Sequence, residues 1–242
     1  MDPISVPFRG SHFFINDASP TCRKRAMTFA TKEPDTVKWI EELLPDDIVW
    51  DIGANIGIYT IPIAMMAAKV MAFEPHPANY LELANNILLN GTQNAVPFAV
   101  ALARKTEITK LYMSGNHPGV AMNTIGEGYH GTAPPTNLPA IPVMAMSGYQ
   151  VEGQFGLKFP TAIKLDVDGI EFDVLRGLPL FHCRTLIVEV DITHPFYMDL
   201  MMHLSEGGYR HDPEQAERAR RTSGPNKGVG NIVFKRDVLN GH

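Results

Sequence analysis

The sequence has little cysteine, no long apolar run and no large excess of charge, and each absence narrows its class. Its 242 residues include two cysteines, Cys22 and Cys183, which fit neither a metal-ligand spacing nor a disulfide-rich pattern. No apolar run reaches the roughly 18 to 20 residues of a membrane-spanning helix, and charged residues and prolines interrupt any signal-peptide pattern at the start. We therefore expect a protein of the reducing cytoplasm that does not bind membranes.

The charge balance argues against nucleic acid as a general partner. The formal net charge is −5 at pH 7 and the isoelectric point of the sequence is about 6.0, so the chain as a whole does not attract a polyanion. A hydrophobic content of 45% is ordinary for a globular protein. At this length the chain can bury one sizeable core, and we expect a single domain.

The most informative stretch runs from Ile48 to Glu74. It begins with a short, continuous apolar run containing the carboxylate of Asp51 near its end, which is typical of a strand buried on both faces. A glycine turn, an apolar helical stretch and a second buried strand follow, and the second strand ends in Glu74. This order is the first half of a nucleotide-type βαβ unit, in which Glu74 is placed to hold ribose hydroxyl groups.

Charge at the strand ends distinguishes between adenosine cofactors. A dinucleotide puts its pyrophosphate against the helix N-terminus, where a carboxylate at Asp51 would repel it. S-adenosylmethionine brings cationic sulfonium and ammonium groups instead, and the acids favour it. We expect Gly53, Asn55 and Gly57 to form the cofactor loop; Asn55 stands where a glycine is usual, but it tolerates a left-handed backbone.

Three motifs together resemble the FkbM-type methyltransferase family. They are the glycine turn within residues 49–60, the corner FEPHP at residues 73–77 with Asn86 and Asn90 beyond it, and IKLDVDGIE at residues 163–171. The third motif is the most specific to the family, whereas the first occurs in many class I methyltransferases. The resemblance implies an S-adenosylmethionine-dependent enzyme, usually an O-methyltransferase that acts on sugars or natural products.

With this resemblance, the alternation of strands and helices predicts an α/β fold of the class I methyltransferase, Rossmann-like type. We expect a mostly parallel seven-stranded sheet with an antiparallel last strand and helices on both faces. The single domain then divides into an N-terminal cover (residues 1–45), a cofactor-binding half (46–113), a lid or substrate loop (114–156) and the second half of the sheet (157–242).

Two residues of the cofactor-binding half, Ala101 and Pro62, are unusual for their expected positions. We expect the third strand over residues 95–102, with its end against the adenine. Many class I methyltransferases carry an acid there, but this chain has Ala101, so adenine recognition falls to backbone groups and apolar walls. Pro62 lies past the first turn of the helix expected from residue 58, so that helix either begins late or bends.

Residues 114–156 are rich in glycine, proline and methionine, include His117 and His130, and carry only two charged residues. A loop of this length without structure of its own is uncommon in a compact domain and is usually a lid or a binding loop. We interpret the segment as a lid; a poorly ordered insertion is the alternative. Its nearly uncharged surface suits an uncharged or partly apolar acceptor.

Two residues at the carboxyl-terminal rim of the sheet are the catalytic candidates. Asp166 ends the fourth strand beside the methionine part of the cofactor, and His194 follows the fifth strand. An alcohol acceptor must lose a proton, and histidine side chains, with an unperturbed pKa of about 6.5, suit that role. Asp166 is the better candidate for holding the cofactor or the acceptor. A Mg²⁺ ion on Asp166, Asp168 and Asp191 is an alternative that the resemblance does not require, so we favour no metal.

Other functions compete with a small-molecule or glycan O-methyltransferase. A nucleic-acid methyltransferase is opposed by the acidic charge balance and by the lack of an Asn/Asp-Pro-Pro-aromatic motif after the fourth strand. A non-catalytic scaffold would keep the fold and the cofactor without transferring a methyl group. A nicotinamide-dependent dehydrogenase is disfavoured by Asp51. We therefore expect a small-molecule or glycan hydroxyl acceptor and no nucleic-acid partner.

Overall fold

The computed structural model describes residues 2–126, 137–224 and 226–236. The chain begins with an antiparallel hairpin, followed by three short helices. These elements are β1 (Ile4–Phe8), β2 (Ser11–Ile15), α1 (Pro20–Met27), α2 (Phe29–Lys32) and α3 (Pro34–Glu41). The buried rings of Phe8 and Phe13 both pack edge-to-face on Phe29, so the hairpin shares its apolar face with the helices that follow.

The rest of the chain alternates strands and helices. In chain order its elements are β3 (Ile48–Ile52), α4 (Thr60–Met66), β4 (Lys69–Phe73), α5 (Pro77–Leu89), β5 (Ala95–Phe98), β6 (Ala101–Leu102), β7 (Glu107–Tyr112), β8 (Thr124–Ile125), β9 (Ala140–Met146), α6 (Gly148–Phe155), β10 (Ala162–Leu165), α7 (Glu171–Leu175), a 3-10 helix (Leu180–His182), β11 (Thr185–Asp191), α8 (Tyr197–Glu206), β12 (Arg210–His211), α9 (Pro213–Ala219) and β13 (Val229–Lys235). Within the described ranges, no helix combines the length and the apolar content needed to cross a membrane.

Seven strands form the central sheet in the order β12-β13-β11-β10-β3-β4-β5. β13 is antiparallel to both of its neighbours, and the other pairs are parallel. Neighbouring residues on β3 point to opposite faces: Trp50 packs in a cluster with Leu175 and Leu204, and Val49 packs in another with Leu83. Helices therefore cover both faces, and the predicted α/β sheet with an antiparallel last strand is confirmed.

β5, which corresponds to the third strand predicted over residues 95–102, ends earlier than predicted, at Phe98. β5 pairs with β4 only as far as Phe98, which lies opposite Phe73. Because β4 also ends at Phe73, the residues beyond Phe98 have no partner left on this sheet. Ala101 and Leu102 instead pair with β9, in a second, four-stranded sheet of order β6-β9-β7-β8.

The described part of the segment 114–156 includes regular structure. Residues 140–146 form β9, which pairs antiparallel with β7, and residues 148–155 form α6, whose N-cap Ser147 accepts a hydrogen bond from Gln150 N. The prediction of a loop is wrong for residues 140–146 and 148–155. The glycine and proline content of the segment argued against regular structure, but residues 140–146 form a strand whose partner lies about thirty residues earlier in the chain. Residues 127–136, with His130, lie outside the described residues, and the lid role stays a prediction.

Two helices differ in detail from the sequence analysis. α4 begins at Thr60, so Pro62 falls in the first turn, where no intrahelical hydrogen bond is lost; the helix begins late. The sequence analysis placed no helix at residues 213–221, but the structure forms α9 there, with Gln215 and Ala216 buried. Gln215 docks the helix on β13 by donating to Asn231 O at 2.8 Å and accepting from Val233 N at 3.0 Å.

Asn86 and Asn90, from the second motif, hold the N-terminal hairpin against α5. Asn86 Oδ1 accepts a hydrogen bond from Asn16 N at 2.9 Å, and Asn90 Oδ1 accepts one from Phe14 N at 2.8 Å. The amide of Asn86 also donates to Ile56 O in the glycine turn at 2.8 Å. These two residues therefore connect the N-terminal cover to the turn after β3.

Candidate functional site

A cavity of about 270 Å³ lies at the carboxyl ends of β3, β4 and β10, and we call it the strand-end cavity. This edge of a parallel sheet is where ligands gather in α/β folds. Its lining includes five of the residues predicted to bind a cofactor: Gly53, Asn55, Glu74, Ala101 and Asp166. The structure thus brings most of the predicted set together.

Backbone conformation makes glycine necessary in the turn after β3. Gly53 and Gly57 have φ angles of +79° and +83°. A Cβ atom at Gly53 would lie 1.8 Å from the carbonyl oxygen of Asp166, and one at Gly57 would lie 2.8 Å from Leu83 Cδ1. Gly57 supports the turn but is not part of the cavity lining. Both positions therefore allow close packing that a side chain would prevent.

Asn55 and Glu74 connect the ends of β3 and β4. Asn55 has a φ of +51°, and its backbone N donates a hydrogen bond to Glu74 Oε2 at 2.8 Å. Glu74 Oε1 accepts a second bond from His76 N at 2.9 Å. Burial raises the pKa of Glu74 to about 7, although these two backbone donors act in the opposite direction. Glu74 is therefore a fixed carboxyl group in the cavity wall.

Asp51 does not lie at the mouth of the cavity, so this part of the sequence analysis is wrong. The residue is fully buried and is not part of the lining. Its register explains the placement: Asp51 lies opposite Lys164 on β10, and paired residues on neighbouring strands point to the same face. Asp51 Oδ1 is 3.4 Å from Lys164 Nζ, and Asp51 Oδ2 accepts a hydrogen bond from Thr60 Oγ1 at 2.6 Å.

Asp166 does face the cavity, with 27% of its side chain exposed. Its Oδ2 atom lies 3.6 Å from Nζ of Lys164. Burial opposes the ionisation of Asp166, but Lys164 and more distant cations outweigh it and lower its pKa. Burial likewise opposes the charge on Lys164, but the carboxylates of Asp51 and Asp166 raise its pKa.

Several charged residues of the lining were missed by the sequence analysis. Arg25 and Lys32 come from α1 and α2, which had been treated as a cover. Arg221, to which the sequence analysis gave no role, lines the cavity and donates to Glu189 Oε1 at 3.1 Å. These residues reach the strand ends through tertiary contacts between distant segments, and no local pattern marks them.

A second cavity, also of about 270 Å³, adjoins the first, and we call it the aromatic cavity. The rings of Phe172 and Phe196 are stacked in its wall, with centroids 6.0 Å apart and planes 23° from parallel. Four residues line both cavities and form their boundary: Met122, Asp168, Glu189 and Asn226. A ligand in one cavity would therefore be next to a ligand in the other.

His194 lines the aromatic cavity and not the strand-end cavity, so the two catalytic candidates are in different cavities. Its Nδ1 atom accepts a hydrogen bond from Phe196 N at 3.3 Å. A neutral histidine with an acceptor at Nδ1 carries its proton on Nε2. In this arrangement Nε2 of a neutral His194 is a hydrogen-bond donor.

Two acids of the boundary, Asp168 and Glu189, and the neighbouring Glu171 all line the aromatic cavity. Burial raises the pKa of Asp168 to about 6 and that of Glu171 to about 7. Glu171 accepts hydrogen bonds from Val167 N and Gly169 N, which fix its carboxyl group at the start of α7. Burial and then Asp166 raise the pKa of Glu189, against the effect of Arg221. Among the described residues, no group of three or more His, Cys, Asp and Glu side chains is placed to hold a metal ion.

Residues 114–126, which we call the strap, cross the strand-end cavity. Val120 O accepts hydrogen bonds from Asn55 Nδ2 at 2.8 Å and from Asn79 Nδ2 at 3.0 Å. Asp168 Oδ2 accepts bonds from the backbone N of Met122 at 2.7 Å and of Asn123 at 3.2 Å. Polar bonds from several elements therefore hold the strap in place.

The chemistry of the lining suits S-adenosylmethionine. Val100, Ala101 and Leu102 form an apolar wall fit for an adenine ring, with no acid among them. Glu74 offers a carboxyl group to ribose hydroxyl groups, and Asp166 offers a carboxylate to a cation. The residues present therefore suit the adenine, the ribose and the cationic groups of this cofactor.

Comparisons with known proteins are consistent with this site. Residues 51–211 match the family model described as the methyltransferase FkbM domain. The chain is 27% identical over 161 residues to hexuronic acid methyltransferase AglP of Haloferax volcanii, an alignment covering 65% of this chain and 62% of that protein. It is 28% identical over 99 residues to a tRNA (guanine(37)-N(1))-methyltransferase of Phytophthora infestans, covering 37% of this chain and 24% of that protein. The chain thus spans less than two thirds of either relative.

One solved structure shows the same fold. It is a crystal structure of methyltransferase FkbM from Methylobacillus flagellatus KT, which superposes with a TM-score of 0.52 at 15% sequence identity. The superposition covers 80% of this chain and 44% of that chain.

Proposed function

The chain belongs to the FkbM methyltransferase family, and on that premise we propose that it transfers the methyl group of S-adenosylmethionine to a hydroxyl group of a sugar or small natural product. The observation that carries this proposal is the pair of adjoining cavities at the strand ends. One is lined by five of the seven residues predicted to bind the cofactor, and the other offers stacked aromatic rings beside it.

The strand-end cavity is the proposed cofactor site. Ala101 would contact the adenine, Glu74 the ribose hydroxyl groups, and Asp166 the cationic methionine part. When bound there, S-adenosylmethionine supplies a methyl group on a positively charged sulfur. The strap would exclude water from this group, since Met122 and Asn123 line the cavity and are held by Asp168.

The aromatic cavity is the proposed acceptor site. The apolar face of a sugar ring stacks well on aromatic side chains, and Phe172 and Phe196 provide them. Carboxyl groups of Asp168 and Glu189 at the boundary would accept hydrogen bonds from acceptor hydroxyl groups. The relative named as a hexuronic acid methyltransferase supports a sugar acceptor.

A hydroxyl group must lose its proton as it accepts the methyl group. We infer that Glu189 takes this proton, because its carboxyl group lines both cavities. Its raised pKa also makes it a better match to a hydroxyl proton than the strongly ionised Asp166. His194, with Nε2 as a donor, would orient the acceptor oxygen.

Cofactor binding and acceptor screening test this proposal. S-adenosylmethionine and S-adenosylhomocysteine should raise the melting temperature in a concentration-dependent way, and NAD should not. Sugars, uronic acids and hydroxylated natural products are then incubated with radiolabelled S-adenosylmethionine. Stabilisation by NAD alone would refute the assignment, and tight cofactor binding without any methylated acceptor would favour a non-catalytic scaffold.

The similarity to a tRNA methyltransferase over 99 residues favours one second candidate, an RNA methyltransferase. Such an enzyme would bind tRNA with an affinity that falls steeply with salt concentration. We expect no such binding in a fluorescence anisotropy titration with tRNA at two salt concentrations. Methyl incorporation into tRNA in the same radiolabel assay would establish the second candidate instead.

A further inference from the structure

A buried lysine links the two carboxylates at the ends of β3 and β10. Lys164 is 4% exposed, and its Nζ atom lies 3.4 Å from Asp51 Oδ1 and 3.6 Å from Asp166 Oδ2. The same atom lies 5.4 Å from the centre of the Tyr59 ring. Of the two carboxylates, only Asp166 reaches the strand-end cavity.

The acids of the cavity lining differ in how firmly they hold a negative charge. In the described part of the chain, Glu74, Asp166, Asp168 and Glu189 line this cavity. Burial raises the pKa of Glu74 to about 7 and of Asp168 to about 6, and it also raises the pKa of Glu189. Asp166 alone among them has a lowered pKa. Of the four acids, Asp166 is therefore the one that keeps its negative charge to the lowest pH.

We propose that Lys164 is a positioning residue that fixes Asp166 as the permanent anion of the cavity, so that the site prefers the cationic methyl donor to its uncharged-sulfur product. The proposal rests on the proposed function, since it takes the strand-end cavity as the cofactor site. Asp51 is part of the device although it does not line the cavity.

The charge balance of the trio explains why both acids are needed. If Lys164 were paired with Asp166 alone, its positive charge would cancel the negative charge that a ligand meets. Asp51, which does not line the cavity, compensates the positive charge of the ammonium group instead. The trio then carries one excess negative charge, which is presented on Asp166. A buried ammonium without such compensation would be costly, so the two acids also make Lys164 tolerable in the interior.

The decisive variant removes the partner of Asp166 together with Asp51, so that Asp51 is not left as an unpaired charge in the interior. Lys164→Met combined with Asp51→Asn deletes one cation and one anion together. Arg184→Met combined with Asp47→Asn is the matched control, because that pair, with Arg184 Nε 3.1 Å from Asp47 Oδ1, joins the amino ends of β3 and β11 at the opposite edge of the same sheet. Circular dichroism and thermal denaturation establish that each variant is folded.

Calorimetric titrations with S-adenosylmethionine and S-adenosylhomocysteine, from pH 6 to pH 8, provide the readout. Without Lys164, burial raises the pKa of Asp166, so the residue is protonated at low pH and regains its charge as the pH rises. The preference for the donor over the product should fall by about tenfold at pH 6 and recover towards pH 8. The control variant should keep the wild-type preference at every pH.

Other groups around Asp166 also titrate, so every variant is compared with the wild type. The charged and titratable groups that act on or respond to Asp166 are Lys164, Lys32, Arg25, Arg221, Asp168, Glu171, Glu189 and Tyr59. All except Lys164 are present in both variants. A pH dependence that appears only in the Lys164 variant therefore belongs to the trio.

The possible results separate the two proposals. Equal weakening of donor and product at all pH values, or no change in either, would overturn the role of Lys164. If the wild-type protein binds neither ligand, the proposed function itself fails. If the Lys164→Met, Asp51→Asn variant does not fold, Asp166→Asn in the wild-type background provides the test, because it must lose donor affinity selectively.

Discussion

Strand register decides whether the side chain of a residue near a strand end faces the cavity or the interior, as Asp51 and Asp166 illustrate. Both acids lie at strand ends, and the sequence analysis assigned both to the cofactor. Only the pairing of Asp51 with Lys164 across β3 and β10 reveals that Asp51 is turned inward. Register between distant strands depends on the folded sheet, so an isolated strand pattern does not contain it.

Gly53 is the residue at which substitution should be most damaging. In Gly53→Ala the new Cβ would meet the Asp166 carbonyl oxygen at 1.8 Å in a backbone with positive φ. We expect a loss of at least about 3 kcal/mol of unfolding free energy, measured by urea denaturation. Gly153→Ala, within α6 and with no atom within 4 Å of the new Cβ, is the control and should be neutral or slightly stabilising.

Glu189→Gln tests the proposed proton acceptor. We expect kcat to fall by about 10²- to 10⁴-fold, with little change in S-adenosylmethionine affinity. A base must be ionised, and burial raises the pKa of Glu189, so wild-type kcat should rise with pH and the variant should lose that rise. His194→Gln should weaken acceptor binding and lower kcat less than Glu189→Gln does. A larger loss of kcat in His194→Gln than in Glu189→Gln would reverse the two roles.

Among the elements, those formed from local signals were predicted well. The apolar runs of β3, β4, β10 and β11 predicted strands. The second sheet was not predicted, because β6 and β9 are short segments that pair although about forty residues separate them in the chain. The cationic part of the site was missed for the same reason: α1, α2 and the residues after α9 meet only in three dimensions.

The strap depends on Asp168, which bonds two of its backbone amides. In Asp168→Ala these amides lose their acceptor, and hydrogen–deuterium exchange of peptides from residues 114–126 should become faster. Peptides from α5 should exchange at the wild-type rate. Glu217→Gln, at a surface-exposed ion pair, serves as the control variant. Unchanged exchange in the strap of Asp168→Ala would contradict the proposed attachment.

At the scale of the whole molecule, the N-terminal hairpin is part of the core and of the site's support. Phe13 is buried against Phe29, and the adjacent Phe14 is 42% exposed. We expect Phe13→Ala to lower the unfolding free energy by about 3 to 5 kcal/mol. Phe14→Ala should change it by less than about 1 kcal/mol. Equal effects in chemical denaturation would mean that the hairpin does not share the core.

The position of β13 has a consequence for how the protein is made. This strand is the latest in the chain among those described, yet it lies between β11 and β12. Within the part of the chain that the structure describes, β12 pairs with β13 alone, so it has no neighbour until β13 has been synthesised and inserted. During synthesis on the ribosome, one edge of β11 therefore remains unpaired until β13 is added. This exposed strand edge is a site that a chaperone would bind at that stage.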